Sequence, residues 1–182
     1  MSTSTTLLAL LEPAPAYGYT LKQNYDRWFA RRRPLAFGQV YATLARLTRD
    51  GLADQVEVEA GHGPDRRLYR ITARGAGVVD AWVTEPQPPE IAAGTLHARV
   101  TVALLSGRDP AEVLARQRES HLTRMRALQA LRREATGPDL LAVTYELAHL
   151  DADLRWIEES GTRLGAIRHQ LEADKGADDA RG

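Results

Sequence analysis

The side chains best suited to chemistry in this chain stand in the stretch Phe37 to Arg49, FGQVYATLARLTR. At helical spacing Gln39, Ala42, Thr43 and Arg46 fall on one side and Val40, Leu44 and Leu47 on the other. An amide, a hydroxyl and a guanidinium can bond base edges or phosphate oxygens, and small residues beside them suit a major groove about 12 Å wide. This outer side is short, polar and nearly free of acid. The apolar stripe behind it would seat the helix on a core.

Other chemistries lack their residues. There is no G-x-S-x-G, H-E-x-x-H or G-x-G-x-x-G, and no grouping of acids and histidines that would give a nucleophile a positioned base. The chain is therefore not expected to be an enzyme or to need a cofactor. Tyr145, His149 and Asp153 follow at i, i+4 and i+8, but two ligands on one helix face are too few for a metal and read as ordinary helix pairs. The absence of cysteine excludes disulfides and thiolate metal sites.

With 182 residues, 43% hydrophobic and 26% charged, the chain has the composition of a folded, soluble protein of one ordinary domain or two small ones. No apolar run reaches the roughly 18 residues needed to cross a bilayer. Leu7 to Leu11 is too short, and lacks a basic segment ahead of it, to read as a signal peptide. A cytoplasmic location without membrane contact is expected. The formal net charge of zero conceals a basic segment: Thr20 to Asp50 holds seven basic residues against two acids, whereas thirteen face fifteen after Glu85. That local excess suits contact with phosphates at a few points.

The elements around Phe37 to Arg49 follow from punctuation and periodicity. A short helix over Thr3 to Leu11 ends at the Pro13 and Pro15 pair, and a second pattern runs from Tyr17 to Phe29. Asp50-Gly51 ends the third helix with a residue suited to a left-handed cap. Val56 and Val58, the turn GHGPD at Gly61 to Asp65, and Leu68, Tyr69 and Ile71 predict a two-stranded hairpin. Three helices and a hairpin make a winged helix-turn-helix, with His62, Arg66, Arg67 and Arg70 on the wing placed to meet DNA backbone or a minor groove. His62 is equally well explained as a plain turn residue. Thr72 caps a fourth helix to about Thr84, with Trp82 near its exit, and Pro86, Pro88 and Pro89 close a DNA-binding domain over residues 1–85.

Residues 90–172 read as a helical dimerisation and effector domain. Glu90 to Leu105 is a helix candidate, and Asp109-Pro110-Ala111-Glu112 starts another that reaches about Ala135. After Gly137-Pro138, the positions Leu140, Val143, Leu147, Leu150, Leu154, Ile157, Gly161, Leu164, Arg168 and Leu171 alternate by three and four. This heptad pattern spans a helix about 48 Å long. Its apolar members, Leu140, Val143, Leu147, Leu150, Leu154, Ile157 and Leu164, either pair the chain with a second copy or close a three-helix bundle within it. Residues 173–182, rich in Asp and Gly, read as a disordered tail. The fold class expected is mainly α with a two-stranded β wing: a winged helix-turn-helix plus long antiparallel C-terminal helices.

Three blocks resemble the PadR family of phenolic-acid regulators, bacterial transcription factors: LLALLEPAPAYGYTLKQ at Leu7 to Gln23, VYATLARLTRDGLA at Val40 to Ala53, and RRLYRITARGAGVVDAW at Arg66 to Trp82. LRWIEE at Leu154 to Glu159 is similar to the tryptophan-containing stretch of the family's last helix. The resemblance implies a homodimeric repressor of double-stranded DNA with a palindromic operator, acting on its own gene or a neighbouring transport or detoxification operon. By position it puts Tyr19 and Lys22 at the second helix, Gln39, Tyr41, Thr43 and Arg46 on the recognition helix, and Arg66 and Arg67 on the wing. Gln39 and Thr43 are then candidates for base edges, and Lys22, Tyr41, Arg46 and Arg67 for phosphates; Tyr41 alternatively fills a helix–helix interface. Ala42 stands where many members have proline. A small hydrophobic or aromatic effector would be received near Trp156, Trp82 and Met125. A constitutive or architectural DNA-binding protein, and a winged-helix protein-interaction module, are the alternatives.

Overall fold

The computed structural model describes residues 3–30, 34–56, 67–92 and 94–179. They form two compact units, one joining Met1–Thr84 to His97–Arg108, the other joining Glu85–Leu96 to Asp109–Gly182.

In the first unit α1 (Thr3–Ala9), α2 (Gly18–Phe29), α3 (Phe37–Arg49) and α4 (Ala73–Thr84) enclose a core of Leu7, Leu8, Leu11, Leu21, Val40, Leu44, Leu47, Val79 and Val83. Val40, Leu44 and Leu47 are buried as their spacing requires, each stabilising the fold by about 1.5–3 kcal/mol relative to exposure. α3 stops where Gly51 adopts φ +68°, and the Asp50 and Leu52 amides turn back to the carbonyls of Arg46 and Leu47, both at 2.9 Å. The chain runs at once into β2 (Ala53–Val56), which pairs antiparallel with β3 (Leu68–Ile71), Ala53 facing Ile71 and Val56 facing Leu68.

The sheet is not two-stranded. A two-residue strand, β1 (Ala16–Tyr17), pairs with the other edge of β3, giving the order β1-β3-β2. Two residues are too few to show an alternation, so nothing in their pattern announces a strand. Val58, His62 and Arg66 lie outside the described residues.

One hydroxyl joins α3 to α4. Thr72 Oγ1 accepts the Gly75 amide at 3.0 Å, as a cap should, and donates to the Gly51 carbonyl at 2.9 Å with the Leu52 carbonyl 3.1 Å away. Gly75 is forced by this closeness: a Cβ there would lie 2.1 Å from the Leu52 carbonyl oxygen and 2.9 Å from Ile71 Cγ1.

The helix expected over Glu90 to Leu105 is divided into α5 (Pro89–Ala92) and α6 (Leu96–Leu105), and α6 from His97 onward belongs with the winged helix, across the expected boundary at the prolines. The reason is Arg99. Its side chain is wholly buried and donates from Nε to the Trp82 carbonyl at 2.8 Å and from Nη2 to the Val83 carbonyl at 3.0 Å, covering carbonyls that the last turn of α4 leaves without helical partners. Burial lowers the guanidinium pKa to about 10, which still leaves it charged near neutrality. Beyond α6, Arg108 grips Glu12 through two bonds of 2.8 Å and reaches Asp80 at 3.0 Å. Arg99→Met should therefore cost about 1.5–3 kcal/mol for each charged hydrogen bond lost, seen as a lower urea midpoint of the full chain. An unchanged midpoint would mean that α6 is held by other contacts.

In the second unit α7 (Pro110–Arg132) opens on the expected cap, Asp109 Oδ1 accepting the Ala111 amide at 2.9 Å. Gly137, at φ +57°, turns the chain into α8 (Gly137–Asp179). The two helices pack antiparallel, with Arg124 bonded to Glu146 at 2.7 Å and the fully buried His121 to Asp153 at 3.2 Å. Gln117, also buried, bonds His121 Nδ1 at 3.2 Å and exchanges hydrogen bonds with the Gln87 backbone. α8 continues through most of the stretch expected to be a disordered tail: a helix already formed propagates through Glu172, Ala173 and Asp174, and one glycine at 176 does not stop it before Asp179.

Candidate nucleic-acid interface

Gln39, Ala42, Arg46 and Arg49 are exposed along α3. The first three, with Thr3 and Ser4 of α1, line a shallow polar hollow that also reaches Thr43. Gly38, just ahead, has nothing within 4 Å of where a Cβ would stand, so the start of α3 is open to a close approach. Among the described residues Arg70 and Arg49 make exposed ion pairs, to Asp54 at 3.7 Å and Asp50 at 3.0 Å. Such pairs contribute little and are readily exchanged for phosphate. Arg67 is exposed just ahead of β3, and Arg74 donates to the Asp50 carbonyl at 3.0 Å.

Thr43 does not stand beside Gln39 as a free reader of bases. It is 6% exposed, and its hydroxyl donates to the Gln39 carbonyl one turn back at 2.8 Å. At 100° per residue Thr43 lies on the margin of the α3 stripe, so the packing of the unit decides its side.

The aromatic and basic residues of α2 are more committed than the sequence suggests. Tyr41 packs its ring so close to Gly18 that a Cβ there would sit 2.6 Å from the ring, which makes Tyr41 part of the α2–α3 interface. Lys22 is paired with Asp26 and lies over the Phe37 ring, 5.0 Å from its centroid. Burial pushes the Asp26 carboxyl up, but the bonds from Lys22 and the Leu35 amide and the ammonium charge outweigh it, so its pKa lies below the usual carboxylate value. Tyr19 stacks on Phe37 with centroids 5.9 Å apart and accepts a hydrogen bond from Gln23 at 2.8 Å.

On α8 the heptad positions Leu150 and Ile157 are 4% and 3% exposed within the single chain. Val143, Leu147, Leu154 and Leu164 are half-buried, and Leu140 is exposed. At its centre, then, the expected dimer stripe is already covered within the chain. A second face is left over: Leu141, Tyr145, Ala148, Ala152 and Trp156 follow at helical spacing and are all exposed, Leu141 at 73% and Tyr145 at 66%. The alternation of three and four conceals it, because it lies on the opposite side of the same helix.

A cavity of about 230 Å³ opens between α5, α7 and α8, lined by Pro89, Glu90, Arg124, Tyr145, Glu146, His149, Leu150 and Asp153. None of Trp82, Met125 and Trp156 lines it. Trp82 and Met125 are half-buried, the first in the winged-helix unit and the second in the helical one, while Trp156 stands on the outer face of α8. Asp153 is turned to His121 and the His149 ring lies on Tyr145, centroids 4.1 Å apart; among the described residues no three His, Asp or Glu side chains converge as a metal site would need.

Residues 7–81 match the model of the transcriptional regulator PadR-like family. Over that winged-helix stretch the chain is PadR-like. It is accordingly a DNA-binding transcriptional regulator and not an enzyme. No curated protein sequence matches it. Among solved structures it is similar to Bacillus subtilis PadR in complex with operator DNA, with 16% identity, TM-score 0.44 and coverage of 90% of this chain and 99% of that one. Bacillus subtilis PadR in complex with p-coumaric acid gives 15% identity, TM-score 0.40 and coverage of 89% and 98%, and the Vibrio cholerae virulence activator AphA 17%, 0.38, 94% and 99%.

In this PadR-like chain the residues that sequence reasoning passed over are Phe37, Arg49 and the outer face of α8. Arg49 follows Arg46 by three residues, the spacing that signals a shared helix side. Phe37 gave no signal, since an apolar residue at the first position of a helix is read as core. Among the described residues no helix is long and apolar enough to cross a membrane.

Proposed function

We propose that this PadR-like regulator is a cytoplasmic homodimeric repressor that binds a palindromic operator of its own gene or a neighbouring transport or detoxification operon, and releases it on binding a small hydrophobic or aromatic effector. The observation that carries the DNA-binding part is the exposed, acid-free outer side of α3, where Gln39 and Arg46 stand beside Ala42 with Gly38 open ahead of them. A side of this kind fits a major groove, with the amide on base edges and the guanidinium on phosphate. The exposed apolar face of α8 at Leu141, Tyr145 and Trp156 supports the dimer, and two-fold symmetry then requires an inverted repeat whose half-sites lie about 34–36 Å apart. The cavity beside Tyr145 and Leu150 supports an effector role for the second unit.

The two α3 side chains separate in a salt titration. Arg46→Ala should weaken binding to selected and random duplexes alike and lower the salt slope by about one phosphate. Gln39→Ala should instead reduce discrimination between them, by about 1–3 kcal/mol for one well-formed base contact. Equal losses on every duplex for Gln39→Ala would remove it from the base-reading set.

A further inference from the structure

We propose that Phe37 is a specificity residue that recognises thymine through its C5-methyl group at one position of each half-site; this rests on α3 entering the major groove. Phe37 is the first residue of α3, and the N-terminal residues of a recognition helix are those that contact base edges. Phe37 is 45% exposed and stands outside the buried core that Val40, Leu44 and Leu47 build one turn on. Neither does it hang free. Tyr19 lies parallel to it, with 9° between the planes, and the Lys22 ammonium stands 5.0 Å from its centroid, so two residues one turn apart on α2 fix its position. Lys22 is in turn held by Asp26, which also accepts the Leu35 amide from the segment leading into α3.

An exposed aromatic held this firmly is preorganised for an apolar partner. In the major groove only thymine offers one, since its methyl has no counterpart on the other three bases and an aromatic side chain is a known kind of partner for it. Gly38 follows with no side chain to keep the groove floor away, and Gln39 and Arg46 supply polar contacts on the same helix. The division of labour is chemical: the amide reads donors and acceptors, and the ring reads a methyl.

The test uses full-length protein and a duplex selected from a randomised pool, remade with deoxyuridine for thymidine one position at a time, a change that removes only the methyl. Wild-type protein should lose about three- to five-fold in affinity at one symmetric pair of positions, the amount expected for one buried methyl. Phe37→Ala should bind the thymine and uracil duplexes equally at that pair, and Phe37→Leu should keep part of the difference. Thermal unfolding of both variants shows that the fold is intact. If uracil is tolerated everywhere while Phe37→Ala weakens all duplexes, the ring packs on the sugar–phosphate backbone and the proposal falls, although α3 still binds DNA. A methyl effect that survives Phe37→Ala belongs to another residue and overturns it equally. If no duplex is selected at all, the reading of α3 fails first and takes this one with it.

Discussion

Leu141→Asp combined with Tyr145→Asp is expected to yield a folded monomer that has lost at least about 100-fold in affinity for an inverted-repeat duplex, equivalent to about 2.8 kcal/mol. Both residues are among the most exposed apolar ones of the chain, so charges there should leave the α7–α8 packing intact. A dimer, by contrast, would have to take two carboxylates per chain out of water at its centre, and an unpaired buried charge costs several kcal/mol. The lost affinity reflects the loss of one half-site, not damage to α3. Sedimentation and a titration against a single half-site make the distinction: the half-site affinity of the variant should equal that of the parent. The choice of residues matters, because Leu150→Asp would place a charge in the seam between α7 and α8 and unfold the unit it was meant to leave whole. A double variant that sediments as a dimer would move the interface elsewhere, with the length of α8 beyond α7 the next place to look: α8 has 43 residues and α7 only 23, a difference of about 30 Å of helix.

Gly75→Ala should be the most damaging single methyl in the winged helix. The added carbon would stand 2.1 Å from a carbonyl oxygen of the backbone, which has no rotamer by which to yield, so α4 must shift away from the end of α3. Overpacking of this kind costs about 3 kcal/mol or more, which for a chain of this length corresponds to a fall of about 6–12 °C in Tm. Gly77, two residues later in the same helix, has nothing within 4 Å. Gly77→Ala should therefore be neutral or stabilising by about 0.5–1 kcal/mol, because alanine is the better helix former. Two alanines in one helix with opposite signs would identify close approach, not helix propensity, as the cause. Equal melting of the two variants would show that α4 accommodates the methyl.

The parts legible in the sequence are those set by local rules. α3 ends at Gly51 because a left-handed position favours glycine, α7 begins after Asp109 because a carboxylate can cap it, and Thr72 opens α4 for the same reason. Each of these is decided within four residues. The parts that were not legible depend on what the packing brings alongside. Arg99 lies in LHARVTVALL and gives no sign that its guanidinium will be buried under the end of α4, so a boundary drawn at the prolines cuts the unit in the wrong place. Thr43 stands at the margin of a stripe, where a few degrees decide between core and surface. The heptad of α8 was correct as a pattern, but a pattern does not say whether its partner is α7 of the same chain or α8 of another. Leu150 and Ile157 are covered within the chain, and the exposed face opposite them carries no heptad signal.

The grip of Arg99 on the end of α4 also sets an order of events during synthesis. When the ribosome has made α1 to α4 and both strands, every element that carries Gln39 and Arg46 exists, yet the carbonyls of Trp82 and Val83 still wait for a guanidinium sixteen or seventeen residues downstream. At about 5–20 residues per second that interval lasts about one to three seconds. The nascent winged-helix unit is thus kept incomplete until the chain has already begun α6, and its last piece is made only after the proline-rich segment has been passed.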